Sequence, residues 1–100
     1  MNTLGEFIDH IQKQGGSDAK IWISEVMHRS GVTGEHRAQY KANPFTKQWV
    51  TDFALAIADE ARSMIASGST DDYCQMLSHE AHAMLRLIHS EASTLGILCG

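Results

Sequence analysis

The stretch from Asn43 to Gly68, NPFTKQWVTDFALAIADEARSMIASG, constrains the fold more than any other part of the chain. Val50, Phe53, Ala54, Ile57, Ala61, Met64 and Ile65 recur at steps of three and four, which at about 100° per residue places them on one side of a helix. Asp52, Asp59 and Ser63 fall on the opposite side. Asn43 is a residue type that caps free backbone N–H groups, Pro44 suits a first helical position, and Gly68 suits a left-handed terminus. The expectation is one helix from Asn43 to Gly68. An apolar stripe about six turns long must be covered, so the other elements are expected to pack around it.

A second helix is expected directly after it. Ser69 followed three residues later by Asp72 resembles a helix start, and Asp71 and Asp72 suit the positive end of the helix dipole. Met76, Leu77, Ala81, Met84, Leu85, Ile88, Ala92 and Leu95 then form a stripe running to about Ser93. Because Ser67-Gly68-Ser69 is a tight connection, residues 44 to 67 and 70 to 93 are expected to form a long antiparallel helix pair.

The N-terminal part offers shorter elements. Thr3 and Glu6 have capping-box spacing, and Leu4, Phe7, Ile8 and Ile11 share a face. Gly15-Gly16 is expected to end that helix and Ser17 to cap the next, whose face is Ala19, Trp22, Ile23, Val26 and Met27. The Ile21-Trp22-Ile23 run also suits a strand, but no strand partner lies nearby. Gly31 is expected to close this helix and Thr33 to cap a short polar one through Glu35 to Lys41, with Ala38 and Tyr40 as its apolar contacts. The fold class is therefore all-α, a single helical domain over residues 1 to 100 with four to five helices.

Charge narrows the function. The net charge is -4, which argues against general binding to nucleic acid or to an anionic membrane. The charge is uneven. Lys20 to Lys47 holds five Lys or Arg against two acids, and Val50 onward holds seven acids against two Arg. Cys74 and Cys99 form no C-x-x-C or zinc spacing, and Cys74 is expected as a reduced thiol. Without a basic stretch leading into an apolar run or a membrane-length apolar segment, the chain is expected to be soluble and cytoplasmic.

No segment carries a nucleophile elbow, a P-loop or a dinucleotide fingerprint, so neither catalysis nor a cofactor is expected. His79, His82, Arg86 and His89 fall within roughly 80° of one another around the last helix, away from its apolar stripe. They suit a partner-facing surface or, as an alternative, a metal site. HEAH from His79 to His82 is not the H-E-x-x-H motif, and Arg86 within the row repels a cation, so no metal is assigned. Asp52, Asp59, Asp71, Asp72, Glu80 and Glu91 form either a solvated acidic face or a negative surface that mimics a nucleic-acid backbone or pairs with Lys and Arg on a partner; mimicry needs the charges to converge on one face. Around the start of the long helix, Arg37, Tyr40, Lys41, Phe45, Lys47 and Trp49 include the aromatic and basic types favoured at binding surfaces.

A helix-turn-helix centred on Gly31 is a further alternative. Val26, Met27 and Val32 suit it, but Arg37 stands where the second helix needs an apolar anchor, and the flanks are acidic. As a whole, from Met1 to Gly100, the chain resembles the small phage-encoded anti-CRISPR proteins that act on type I surveillance complexes. The resemblance lies in its short length, single domain, mild acidity, helix content and lack of a catalytic signature, so no residue is carried over from that family. It implies a stoichiometric inhibitor in the host cytoplasm that docks on a protein and RNA complex and blocks target DNA, without itself binding nucleic acid. Function is thus expected as protein binding, with a small DNA-binding regulator and a histidine-based metal protein as alternatives.

Overall fold

A computed structural model describes residues 1–29 and 34–97, and these are helical almost throughout. Four helices follow in order: α1 Leu4–Arg29, α2 Gly34–Lys41, α3 Lys47–Ala66 and α4 Asp71–Thr94. The chain is all-α, with α3 and α4 antiparallel and α1 packed against both and against α2.

The antiparallel pairing is fixed at both ends. Near the connection, the Cys74 thiol donates to the Ile65 carbonyl at 3.4 Å. At the far end, Val50 and Ala54 of α3 share a cleft with Leu85 and Ile88 of α4. Between these points Val50, Phe53, Ile57 and Ala61 of α3 and Leu77, Ala81, Met84, Ile88 and Ala92 of α4 are buried, as their spacing predicts. Met76 and Leu95 do not follow: both are exposed, at 48% and 38%. Ser63, expected on the solvent side, is half-buried.

Leu4, Phe7, Ile8, Ile11, Ala19, Trp22, Ile23, Val26 and Met27 of α1 complete the core. Within α1 the backbone leaves helical geometry at Gly16, where φ is 69° and ψ is -149°. Side chains rarely adopt that conformation, and glycine adopts it freely. Two helical segments thus meet at a kink at Gly16, as the Gly15-Gly16 pair predicts, and Ile21-Trp22-Ile23 is helical.

Thr3 accepts from the Glu6 N–H at 3.2 Å, while the Glu6 carboxylate accepts from Asn2 rather than Thr3, at 2.9 Å. The capping-box pair therefore works one residue out of register.

Helix boundaries correct three expectations. Residues 43–46 are not helical: Leu4 donates to the Asn43 carbonyl at 2.7 Å, Phe45 donates to Asn2 at 3.2 Å, and Thr3 and Pro44 form an isolated antiparallel bridge. Asn43 instead donates through its side-chain amide to the Tyr40 carbonyl at the end of α2. The cap of α3 is Thr46, whose hydroxyl accepts from the Trp49 N–H. Likewise Thr70, not Ser69, caps α4 and accepts from Tyr73.

Gly68 does not adopt a left-handed conformation. A Cβ there would meet the Cys74 sulfur at 2.7 Å, so glycine serves the close approach of the two helices. The left-handed terminus belongs to Gly96, with φ of 83°. Ile97 donates to Ala92 and Gly96 to Ser93, which is the hydrogen-bond pattern of a Schellman motif. Ile97 thereby turns back and packs on the core. Gly31, Thr33 and Cys99, to which expectations were attached, lie outside the described residues.

Among the described residues no helix is long and apolar enough to cross a membrane.

Candidate protein-docking face on the third helix

Helical spacing brings Gln48, Asp52, Leu55 and Asp59 to one side of α3, at steps of four, three and four residues. All four are exposed. Leu55 is the exception in kind: an aliphatic side chain 55% exposed between two carboxylates, on the side away from the buried stripe. It forms a ridge between two shallow depressions. One, of about 420 Å3, runs past Tyr40, Asp52, Ala56 and Asp59; the other, of about 550 Å3, runs past Lys47, Gln48, Thr51 and Asp52.

Aromatic residues flank the ridge. Tyr40 from the end of α2 stands edge-on to Trp49 from the first turn of α3, with ring centroids 6.1 Å apart and planes at 89°. That arrangement matches the quadrupole preference of aromatic pairs. Burial, and then the neighbouring Asp52 carboxylate, push the Tyr40 phenol from 10.0 up to about 12. Both causes penalise the phenolate. Tyr40 therefore stays neutral and available as a hydrogen-bonding group well into the alkaline range.

The other residues that sequence reasoning singled out are dispersed. Phe45 is half-buried and stacks on Phe7 at 5.2 Å, so it closes the core beneath the N-terminal bridge. Lys41 reaches Asp9 of α1 at 3.3 Å, and Arg37 is exposed on α2. Asp59 pairs with Arg62 at 2.6 Å, both side chains being more than two-thirds exposed, a geometry of small energetic weight.

The acidic residues do not share one face. Glu80 accepts from the Trp22 indole N–H at 3.1 Å and Glu91 meets the His10 Nε2 at 2.8 Å, so both act as struts between α4 and α1. Asp71 and Asp72 sit in the first turn of α4.

The histidine row divides as well. His79, His82 and Arg86 line one shallow depression with Gln75 and Ser78, whereas His89 lines a different cleft with Lys47. His82 Nδ1 lies 2.7 Å from the Ser78 carbonyl, which only accepts, so that nitrogen carries the proton. Among the described residues no three His, Cys, Asp or Glu side chains come together in a way that would hold a metal ion.

Fold and surface together define a small all-α protein whose most distinctive exposed feature is an acid-flanked leucine ridge. Searches against protein-family models, curated proteins and solved structures find no match. Leu55 is the residue that sequence reasoning missed. Its signal was present, because it lies between Asp52 and Asp59 on the polar side of an otherwise well-segregated helix.

Proposed function

We propose that this protein acts by docking onto another protein through the outer face of α3, without catalysis. The observation that carries the reading is Leu55, an exposed aliphatic anchor bordered by Asp52 and Asp59 and sharing a depression with Tyr40. Isolated exposed apolar residues are ordinary on protein surfaces. An exposed aliphatic side chain set between two depressions, with carboxylates at its rim and the Tyr40 ring beside it, offers apolar area that a partner would cover inside a polar rim. The acidic rim selects a partner surface that carries Lys or Arg around an apolar pocket.

A more specific form of this proposal is a stoichiometric inhibitor of a type I CRISPR surveillance complex, for which a DNA-receiving surface supplies the basic partner. Its support is the format of the sequence together with the charge of the α3 face.

The test is co-elution of the full chain with a purified type I surveillance complex, followed by measurement of target DNA binding by that complex. The inhibitor reading expects a stable assembly that no longer binds target DNA, and loss of both effects in Leu55→Asp. Salt-dependent binding of duplex DNA by the protein alone, unchanged in Leu55→Asp, would replace it with a DNA-binding regulator.

A further inference from the structure

We propose that the cleft between the start of α3 and the end of α4 binds a small amphiphilic carboxylate, a molecule with an aliphatic body and one carboxylate head. The cleft adjoins the Leu55 face, sharing Lys47 and Thr51 with one of its depressions, but its apolar lining lies on the α4 side and the proposal does not rest on the docking reading. Its volume is about 360 Å3. Small-molecule sites begin at about 300 Å3, so the cleft suits a small ligand.

Chemistry of the walls sets the class of ligand. The floor is apolar: Val50 and Ile88 are each 1% exposed, and Ala54 and Leu85 are half-buried beside them. The rim is polar and carries no carboxylate; its side chains are Lys47, Thr51 and His89. In a chain with 12 Asp and Glu against 8 Lys and Arg, a cleft free of acid is a local reversal of the overall charge.

Neither Lys47 nor His89 makes a hydrogen bond or ion pair among the described residues, so both are free to meet a ligand. One ammonium with a hydroxyl and an imidazole beside it suits a single negative charge. Val50 and Ile88 already close the bottom of the cleft, and the apolar surface still open is that of half-buried Ala54 and Leu85; a hydrocarbon body attached to the charge would cover it, and a bare anion would leave it in water. From Lys47 to Ala54 the cleft follows α3 for seven residues, a length of about 10 Å, which a medium-length aliphatic chain can occupy.

The experiment is a titration of the 15N-labelled full chain with octanoate, acetate and octanamide, followed by amide chemical shifts. Octanoate is expected to give saturable shifts confined to residues 47–54 and 85–89. Acetate lacks the body and octanamide lacks the charge, and each is expected to bind at least about tenfold more weakly. Lys47→Met is expected to weaken octanoate about tenfold while leaving octanamide unchanged. Ala54→Leu, which fills the cleft without changing its charge, is expected to weaken both, with helix content checked by circular dichroism. Equal binding of octanoate and octanamide, shifts centred elsewhere, an unaffected Lys47→Met variant, or no saturable octanoate binding would each overturn the proposal.

Discussion

The outer faces of α3 and α4 are built on the same spacing, yet they leave different things in reach of a partner. Asp52, Leu55 and Asp59 stand at steps of three and four on α3; His79, His82 and Arg86 stand at steps of three and four on α4. On α4 every side chain of the central depression is polar, and His82 is already hydrogen-bonded to its own helix. On α3 an aliphatic side chain stands between two charges and beside the Tyr40 ring. A row of polar residues can remain solvated at no cost. An exposed leucine gains free energy only when something covers it; α4 also exposes Met76, but outside its polar depression, whereas on α3 Leu55 lines both depressions, and this favours α3 as the binding face.

Three comparisons between substitutions test that contrast by size of effect. Ile57→Ala, on the buried side of the same helix, is expected to cost about 2–5 kcal/mol in urea denaturation, whereas Leu55→Ala is expected to stay within about 0.5 kcal/mol. A cost for Leu55→Ala above about 2 kcal/mol would make it a core residue and erase the contrast. Next, Leu55→Asp is expected to weaken capture of the partner by about 30-fold, equivalent to about 2 kcal/mol, and His79→Ala or Arg86→Ala by less than about twofold. The reverse ranking would move the docking face to α4. Smaller still is Glu80→Ala, expected to cost about 1–2 kcal/mol because it leaves the Trp22 indole N–H buried without its acceptor. Asp59→Ala, which removes only an exposed pair, is expected to change stability by less than about 0.5 kcal/mol. Equal effects would mean that the acidic residues do not divide into struts and rim.

The same division explains what the sequence could disclose. Periodicity is a local property, and so the buried residues of α1, α3 and α4 were legible, including the turn at Gly16. Caps compete within a few residues, and the winner depends on contacts far away: Asn43 and Thr46 are both capping types, but the Asn43 carbonyl is taken by the Leu4 N–H beside the bridge of Thr3 with Pro44, and Thr46 has the extended backbone of a cap. Gly68 and Gly96 differ for a similar reason, since the approach of Cys74 gives Gly68 a steric role and leaves the left-handed terminus to Gly96. Glu80 and Glu91 resemble surface acids until α1 is placed beside them. Leu55 is visible as an apolar residue off the stripe, between Asp52 and Asp59, but spacing alone does not say whether another element covers it.

The finest distinction concerns how the α3 face is joined to α2, and Tyr40 reports it through its titration. An ordinary phenol titrates near 10, and in the folded chain Tyr40 is pushed up to about 12, first by burial and then by the Asp52 charge. Since the folded state holds this proton more tightly than the unfolded state, the stability it contributes is complete below pH 10 and is lost as the pH rises from 10 to 12. Tyr40→Phe is therefore expected to flatten that part of the stability profile. Followed by phenolate absorbance in a Tyr73→Phe background, Tyr40 is expected to ionise near 12, and Asp52→Asn is expected to bring the midpoint part of the way down. Only part of the shift should go, because burial is the larger cause. A midpoint near 10 in the unmodified face would place Tyr40 in water and remove the aromatic flank from the Leu55 ridge, leaving a surface no better defined than that of α4.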